Sequence, residues 1–446
     1  MTYVKEPFDP DKKSPSGYLD SHIPQDGAEP SAPSVMYMVP TRDLPPEYSE
    51  SDPQAPPGAP PPFVGSSQGD LKVDKKNPKE LVATKGFAFD RPIYIHTTGI
   101  ACSGIIIEPD TNPNNQGTVV ITAKLSSPTA GIEDRCEFTV HLNEHDEYDF
   151  HANLAWSFWN MMMVQCKFFV RVPSTINCVH PGIRGEIERG QIDLTSLANV
   201  NFGRLNLKTA HGNVSMTNVR GGDVKLATSN GKARAENVVA SEKLEIRSCN
   251  GGMELENIRT QDLSATASNA SINLRDVAVG RARVETSNAS IDGRDIKGSE
   301  VDLRTSNASI DTIGVEAESL HIATKNARVE GMWKVKTLLD IYTTNGKIDG
   351  TIALADPQAP ANIRLNTTNS QIRALLPADS FRGTVDARTS NGHATVEWAN
   401  IQMPPPPMQN LVRDKAYRRV NVGEMGRMVH DFAAKTTNGG IDVRFA

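Results

Sequence analysis

The chain has 446 residues, a formal net charge of −6 and a mean hydropathy of −0.40. Hydrophobic residues make up 38% of it and aromatic residues 6%, which is low for a chain that folds into globular domains throughout. The near-neutral charge balance excludes a broadly basic nucleic-acid binder, because binding many phosphates requires a basic stripe.

The N-terminal segment, residues 1–69, differs in composition from the rest of the chain. Fifteen of the 29 prolines precede Phe63, and residues 1–68 contain four basic and ten acidic side chains. This excess of six acids equals the net charge of the whole chain. Such a segment buries too little apolar surface to offset its ordering entropy. We therefore predict that residues 1–69 form a disordered, proline-rich acidic tail.

The tail contains one recognisable interaction motif. Pro45, Pro46 and Tyr48 form the Pro-Pro-x-Tyr pattern that WW domains bind by docking a polyproline II segment into an aromatic groove. A proline-rich tail also produces such tetrapeptides by chance. The motif predicts a protein partner, with a WW-domain protein as the specific hypothesis.

The sequence also carries information about the cellular compartment. The first residues lack the basic and apolar regions of a secretory signal, and no uncharged apolar run of about 20 residues follows. Five irregularly spaced cysteines, without a Cys-x-x-Cys pair, do not form a disulfide framework. These features predict a cytoplasmic protein without a transmembrane segment.

Residues 70–185 contain three segments that are typical of strands, namely 117–124, 136–142 and 167–173. We predict a β-rich N-terminal cap with irregular early coils, because the ends of a repeat array need atypical units. The segment 154–164 between these strands is rich in Trp and Met. It is predicted to be core, and a lipid-binding or partner-binding groove is the alternative.

Three histidines of this region, His141, His145 and His151, lie among four carboxylates. The first two have the spacing of ligands on one helical turn, but their order is not His-Glu-x-x-His. The flanking sequence indicates a strand followed by a polar loop, which favours a solvated loop over a metal site. The sequence predicts no metal and no cofactor.

Residues 186–446 are dominated by an internal repeat. Asparagines in Thr-Ser-Asn or closely related sequences recur, mostly about 19 residues apart, and His211 occupies the same place one repeat earlier. The repeated asparagines are Asn230, Asn250, Asn269, Asn288, Asn307, Asn326, Asn345, Asn369, Asn391 and Asn438. Apolar residues stand six and four positions before each, and Gly, Ala or Ser follows it.

This alternation predicts strands with one buried face, because neighbouring side chains of a strand point to opposite sides. The inward parity changes at the asparagine, so we expect the chain to turn a corner there, with Asn suited to the left-handed conformation. A single short unit cannot bury its apolar face alone, and parallel stacking of the units into a β-solenoid solves this. The stacked asparagines are then expected to form a hydrogen-bonded ladder with buried amides. A helical repeat lacks the required spacing, and a leucine-rich repeat would need more leucine.

The repeat unit, for example residues 301–310, Val-Asp-Leu-Arg-Thr-Ser-Asn-Ala-Ser-Ile, resembles those of adhesin-like β-solenoid domains of bacteria and fungi. The resemblance covers roughly residues 85–446. It implies a right-handed, single-stranded parallel β-helix and a domain of unknown function, and it supplies no catalytic residues.

Two further patterns concern candidate sites on the repeats. Asp292, Asp311, Asp349 and Asp442 follow inward isoleucines and are predicted to form an outward acidic row, with bases on neighbouring coils. The bases are Arg275, Arg294, Lys347 and Arg373. Carboxylates on such a face serve acid–base catalysis in glycan-cleaving β-helix enzymes. We favour a solvated, charge-interleaved surface.

Five Asn-x-Ser/Thr sequons also occur, at Asn213, Asn269, Asn288, Asn307 and Asn366. In a secreted protein they would be glycan acceptors. Without a signal sequence, and with ladder amides expected to be buried, we predict that they are structural.

The 398–431 segment interrupts the repeat with polyproline followed by basic residues. We predict that it folds over the end of the solenoid, where the last coil would leave an open strand edge at Ala446, or that it contacts a partner. Self-association through this terminal coil is the corresponding hypothesis.

The favoured function is therefore a non-enzymatic, adhesin-like β-solenoid scaffold that presents a flat repetitive surface, with a tail for partner recruitment. No catalytic, cofactor-binding or metal-binding residue is assigned. A polysaccharide-active β-helix enzyme of the lyase or hydrolase type is one alternative, and a self-assembling structural protein is another.

Overall fold

The computed structural model describes residues 70–98, 101–112, 115, 117–132, 134–154, 164–173, 179–195, 197, 199–399, 407–423 and 429–446. These residues all belong to one structural unit, Pro62–Ala446. The predicted tail with its Pro45, Pro46 and Tyr48 motif, residues 155–163 of the Trp- and Met-rich segment and the polyproline at 404–406 lie outside the described residues.

The described residues form 27 β-strands and no helix, which confirms the predicted all-β class. The first ten strands are Lys72–Asn77 (β1), Glu80–Ala88 (β2), Ile93–Thr98 (β3), Ala101–Asp110 (β4), Thr118–Ser126 (β5), Cys136–Leu142 (β6), Tyr148–Leu154 (β7), Gln165–Pro173 (β8), Val179–Arg189 (β9) and Gln191–Thr195 (β10). The next eight are Asn201–His211 (β11), Val214–Thr228 (β12), Ala233–Ser248 (β13), Met253–Ala267 (β14), Ile272–Glu285 (β15), Ile291–Arg304 (β16), Ile310–Ala323 (β17) and Val329–Tyr342 (β18). The last nine are Ile348–Leu354 (β19), Ala361–Asn366 (β20), Ile372–Leu376 (β21), Gly383–Thr389 (β22), Ala394–Trp398 (β23), Met408–Arg413 (β24), Tyr417–Val422 (β25), His430–Thr436 (β26) and Ile441–Phe445 (β27).

Parallel stacking of successive coils makes this a β-solenoid of about ten turns. Strand β15 pairs in parallel with β14 on one side and with β16 on the other, and equivalent residues of successive repeats lie opposite each other. Each coil has a short segment directly after its asparagine, such as 291–294, and a long segment that leads to the next asparagine, such as 296–304. We call the outward surfaces of these two kinds of segment the short face and the long face.

The alternating apolar residues point into the coils and stack on their equivalents in neighbouring coils. Ile272, Ile291 and Ile310, each three positions after an asparagine, are completely buried. Val301 and Leu303 close the same layer from the long segment. The interior is thus a continuous apolar column, which a single unit could not bury by itself.

A threonine stands two positions before the asparagine in most coils, and its hydroxyl is buried inside the corner. Thr305 Oγ1 donates a hydrogen bond to the carbonyl oxygen of Ala289 in the neighbouring coil at 3.0 Å, and Thr324 Oγ1 donates to Ala308 at 3.1 Å. Because a buried hydroxyl without a partner is costly, the hydrogen bond makes threonine compatible with this interior position.

The left-handed corner is not at the repeated asparagines, so that expectation is wrong. Positive φ angles instead occur seven positions later, in a second column that the sequence analysis missed. Its members are Asn218, Asn237, Asn257, Asp276, Asp295 and Gly314, with φ between 48° and 73°. Asn, Asp and Gly are the residues that adopt this conformation most readily, so their recurrence once in each coil was the available signal.

Trp333 takes the place of this corner residue in the next coil and turns inward, where it is 2% exposed. Its Nε1 donates to Thr312 Oγ1 at 2.8 Å. The ring occupies space beside Gly350, where an added Cβ would lie 2.1 Å from the indole. The glycine makes room for the largest side chain of the solenoid interior.

The N-terminal coils do not stack in the order of the chain. Strands β3 and β4 (93–98 and 101–110) lie between β7 and β8 (148–154 and 165–173) on one side and β9 and β10 (179–189 and 191–195) on the other. Antiparallel strands extend both edges, with β6 next to β7, and β5, β2 and β1 following β8. The three predicted strands of this region are β5, β6 and β8.

The C-terminal coils are also out of order. Strands β26 and β27 (residues 430–445) do not end the stack as predicted, since they lie between β20 and β21 (361–376) and β22 and β23 (383–398). The expectation of an open strand edge at the final coil is therefore wrong. The coil at the end of the stack is 383–398, because β26 and β27, which come later in the chain, are inserted between it and the coil 361–376.

The inserted segment after β23 forms a hairpin of β24 and β25. Strand β25 pairs antiparallel with β22, so the hairpin covers the outer edge of the long segment of the last coil. Arg418 Nε also donates to the carbonyl oxygen of Ala394 at 3.2 Å. The described part of the insertion thus covers an end of the stack, but this end is the coil 383–398 and not, as was expected, the coil that ends at Ala446.

Candidate binding groove on the short face

The repeated asparagines line up along one corner of the solenoid and hydrogen-bond through their side chains. Asn288 Nδ2 donates to Asn269 Oδ1 at 2.7 Å, and Asn307 Nδ2 donates to Asn288 Oδ1 at 2.7 Å. The same contact links Asn250 to Asn230 at one end of the row and Asn391 to Asn438 at the other. All of these bonds point in the same direction along the stack.

These amides lie at the surface, so the expectation that they are buried is wrong. Asn269, Asn288 and Asn307 are all exposed. The coil turns outward at this corner, and the buried position is taken by the threonine two residues earlier. Burial is therefore no argument against glycosylation at these three sequons, although each side-chain Nδ2 already donates a hydrogen bond to the neighbouring asparagine.

A groove of about 1040 Å³ runs along the short face. Its lining comes from seven coils that are successive in the stack, those with ladder residues from Asn269 to Asn369 together with Asn438. The inward position at the centre of each short segment holds a small residue in several of these coils, among them Gly293, Thr312 and Gly331. Side chains four and six positions after the asparagine form the two walls.

The predicted acidic row lines one wall of this groove. Asp311 accepts from Arg328 at 3.3 Å, and Asp442 pairs with Arg444 at 2.9 Å. Asp349 forms an ion pair with Lys347. These carboxylates thus alternate with bases on the surface of the groove.

The four predicted bases behave differently from one another. Lys347 is ion-paired, whereas Arg275, Arg294 and Arg373 are exposed and form no ion pair with any described residue. Asp292 likewise has no ion pair within the described part of the chain, and it accepts a hydrogen bond from Ser290 at 3.1 Å.

The second wall changes character along the stack. Arg275 and Arg294 occupy the position six residues after the asparagine in two coils, and Ile313 and Met332 occupy it in the next two. Ile313 is 54% exposed and Met332 is 52% exposed. Two large apolar side chains therefore lie open to solvent beside a cationic pair, which sequence alternation alone did not indicate.

A second cluster lies on the long face near the N-terminal end. His96 Nε2 is 2.9 Å from Asp149 Oδ1, and His141 Nε2 is 3.8 Å from Asp149 Oδ2. The rings of His96 and His151 stack with centroids 4.1 Å apart. Burial, followed by the neighbouring His96, lowers the pKa of His151 below its usual value.

Two of the three predicted histidines therefore come together, while His145 lies in the exposed turn between β6 and β7. His96 was not among the predicted residues, although the alternation in Ile93-Tyr-Ile-His96 places it on the outward face. Among the described residues, no group of three or more His, Cys, Asp or Glu side chains is arranged to hold a metal ion.

Residues 105–279 match the model of the Toastrack family of domains of unknown function, DUF4097. The match begins in β4 and ends in β15, so it includes part of the N-terminal region and the first regular coils. The described residues contain no helix that is long and apolar enough to span a membrane.

None of the curated proteins matches the chain in sequence. One solved structure that does match is described as a "putative cell adhesion protein" from Clostridium sporogenes ATCC 15579. The match has 8% identity and covers 84% of this chain and 98% of that chain, with a TM-score of 0.14.

Proposed function

We propose that this chain is a non-enzymatic, adhesin-like β-solenoid that binds a partner protein along the groove of the short face. The observation that carries the proposal is the exposed pair Ile313 and Met332 at the centre of a charged groove. Contiguous apolar side chains with a polar rim are typical of interaction surfaces on soluble proteins. Seven coils contribute side chains, so weak contacts at each coil add along the stack.

The form of the groove supports binding in preference to catalysis. It is open along its length, and four of its five carboxylates, all except Asp292, are engaged by basic side chains on the same face. A glycan-cleaving site needs two carboxyl groups available for acid–base or nucleophilic work. Release of reducing ends from a polysaccharide, dependent on Asp292 or Asp311, would instead establish the enzyme alternative.

Site-specific photo-cross-linking tests the proposed surface. A photoreactive amino acid is placed at Ile313 in the groove or, as a matched control, at Tyr342, which is 47% exposed on the long face. We expect a discrete cross-linked partner from position 313 that is absent from position 342. The same adduct from both positions, or no adduct from position 313, would contradict the groove as the binding surface.

We propose a separate role for the tail, in which Pro45, Pro46 and Tyr48 recruit a WW-domain protein. Support comes from the motif and from the acidic, proline-rich composition around it. Pull-down with immobilised WW domains compares the native chain with Tyr48→Ala. Equal retention of the two would end this part of the proposal.

A further inference from the structure

The dimensions of the groove restrict what can lie in it. Seven coils at ~4.8 Å spacing extend over about 34 Å. Its two walls are side chains four and six positions after the asparagine, two residues apart on the same strand, so the walls stand about 7 Å apart. An α-helix with side chains is about 10–12 Å across, which is wider than this gap. The groove is therefore suited to an extended chain.

The charges that lack partners indicate the sign of the ligand. Three arginines, Arg275, Arg294 and Arg373, have no ion pair among the described residues, against one carboxylate, Asp292. Two further carboxylates, Asp311 and Glu330, share one base, Arg328. Arg275 and Arg294 are also directly opposite each other in the parallel register. Like charges in this position repel each other. An anionic group bound between the two guanidinium groups would relieve that repulsion through charge-assisted hydrogen bonds.

The order of side chains along the groove gives the spacing. The cationic pair ends at Arg294, and Ile313 and Met332 follow on the same wall in the next two coils. Arg373 lies four coils beyond Arg294 on the opposite wall, level with Asp349 and Asp442 of the adjacent coils. Four coils correspond to roughly 19 Å. An extended polypeptide rises ~3.3 Å per residue, so about six residues cover this distance. Residues at even spacing in such a peptide point to the same side.

We propose that the groove binds an extended segment of a partner protein in which two acidic residues, about six positions apart, flank apolar residues at alternate positions. This inference rests on the proposed function and specifies its ligand. The acidic residues contact Arg294 with Arg275 at one end and Arg373 at the other, and the apolar residues cover Ile313 and Met332. The main chain runs along the stack, across the coils.

An acidic oligosaccharide is the other extended anion of similar width. It would engage the arginines, but it has no apolar side chains for Ile313 and Met332. The groove lining also contains no aromatic ring. The exposed apolar pair therefore favours the peptide, and the oligosaccharide is an outcome of the test.

The test uses the full chain and fluorescein-labelled synthetic peptides in anisotropy titrations. The probe is Glu-Ser-Leu-Ser-Leu-Ser-Glu, compared with a peptide in which both Glu are Lys and with one in which both Leu are Ser. We expect the probe to bind at least about tenfold more tightly than the Lys peptide, with affinity falling as salt rises. Replacement of the leucines should weaken binding several-fold.

Matched variants locate the binding. The double substitution Arg275→Glu and Arg294→Glu should reduce the affinity for the probe about tenfold and abolish the discrimination against the Lys peptide. Ile313→Ser should remove the advantage of the leucines. Arg220→Glu changes an exposed arginine outside the groove lining, and it should change neither the affinity for the probe nor the discrimination against the Lys peptide. Equal thermal unfolding midpoints show that the variants are folded.

The outcomes separate this inference from the proposed function. Equal binding of the Glu and Lys peptides, full binding by the double variant, or tighter binding of oligogalacturonate than of the probe would each overturn the peptide assignment. If cross-linking at position 313 still finds a partner, the proposed function survives that result. If neither cross-linking nor the probe shows binding, both are wrong.

Discussion

At the scale of single residues, the buried threonines show how a polar side chain becomes part of the interior. Ten coils place a threonine or serine hydroxyl inside the corner, and each donates to a carbonyl oxygen of the neighbouring coil. Examples at the two ends of the regular coils are Thr228, which bonds to Gly212 at 2.8 Å, and Thr367, which bonds to Gly346 at 2.9 Å. The hydroxyl column thus ties each corner to the next one.

The first prediction concerns this column. Thr305→Val keeps the shape of the side chain and removes the bond to the Ala289 carbonyl. We expect the free energy of unfolding to fall by about 1 kcal/mol, because the part-buried carbonyl oxygen of Ala289 loses a donor. Thr305→Ser retains the hydroxyl and should cost less. Urea denaturation monitored by circular dichroism compares the three proteins, and equal losses for Val and Ser would refute the role of the hydrogen bond.

His180 is a second buried polar residue, and its protonation opposes folding. It is fully buried between Phe89 and Phe202, and its Nδ1 accepts from the Gly182 N–H at 3.1 Å. No described residue bonds to its Nε2. Burial lowers the pKa of His180 to about 4, well below its usual value. The folded state therefore holds the neutral ring, and an unfolded chain binds the proton more readily.

The second prediction follows from the direction of this pKa shift. The contribution of His180 to stability is complete above pH ~6.5 and is lost as the pH falls towards 4. Between pH 7 and pH 4.5, we expect it to account for about 2–3 kcal/mol of lost stability. His180→Asn keeps an acceptor for Gly182 and should flatten the pH dependence by that amount. His145→Asn, in an exposed turn, is the control, and an unchanged pH slope in His180→Asn would contradict the prediction.

At the scale of the repeat unit, the sequence predicted the strands well and the corners poorly. The alternation of apolar and polar residues correctly predicts inward positions such as Ile291 and Leu303. This pattern has one physical cause, the pleat of the strand, which points successive side chains to opposite faces. An asparagine at a corner can do either of two things: its side chain can hydrogen-bond to the asparagines of neighbouring coils, or its backbone can adopt the left-handed conformation. Both roles were expected at Asn288 and its equivalents, whereas the side-chain row is formed by Asn288 and the left-handed backbone lies at Asp295.

The candidate binding groove was likewise predicted only in part. The acidic row from Asp292 to Asp442 and its basic neighbours followed from outward parity. The groove itself did not, since it depends on small inward residues such as Gly293 and on which ion pairs form. Local patterns determine which way a side chain points, but depth and pairing depend on neighbouring coils.

The third prediction belongs to the hairpin of β24 and β25. It covers the outer edge of β22, and exposed strand edges promote pairing between molecules. We expect that replacing residues 408–422 with a Gly/Ser linker of equal length produces concentration-dependent association. Sedimentation velocity compares this variant with the native chain and with a variant that carries only Leu411→Ser on the exposed side of β24. A monomeric linker variant would show that the hairpin does not protect the edge.

At the scale of the whole solenoid, the coils at both ends are stacked out of chain order. Residues 93–110 lie between two later segments at the N-terminal end, and residues 430–445 lie between two earlier segments at the C-terminal end. A simple end-to-end repeat would leave its last coil held on one side only. Here the last segment of the sequence is paired on both sides, so fraying from the chain end is opposed by two neighbouring coils.

The last prediction tests whether the internal position of residues 430–445 stabilises this end of the solenoid. Removal of residues 429–446 takes away an internal layer, so the coil 383–398 loses its parallel partners along its whole length. Hydrogen exchange should then become fast in β22, β23 and the hairpin that rests on them, while protection in the coils from 272 to 342 is retained.

Adding a synthetic peptide of residues 429–446 should restore slow exchange in 383–398, because the peptide provides the missing strands for both neighbours. The same peptide with Phe432→Asp and Ile441→Asp cannot bury these two inward positions and serves as the control. If the truncated chain protects 383–398 as well as the full chain does, the internal position of the last segment does not hold the end of the solenoid together. Restoration by the native peptide alone would show that the last layer orders the coil 383–398 by pairing with it.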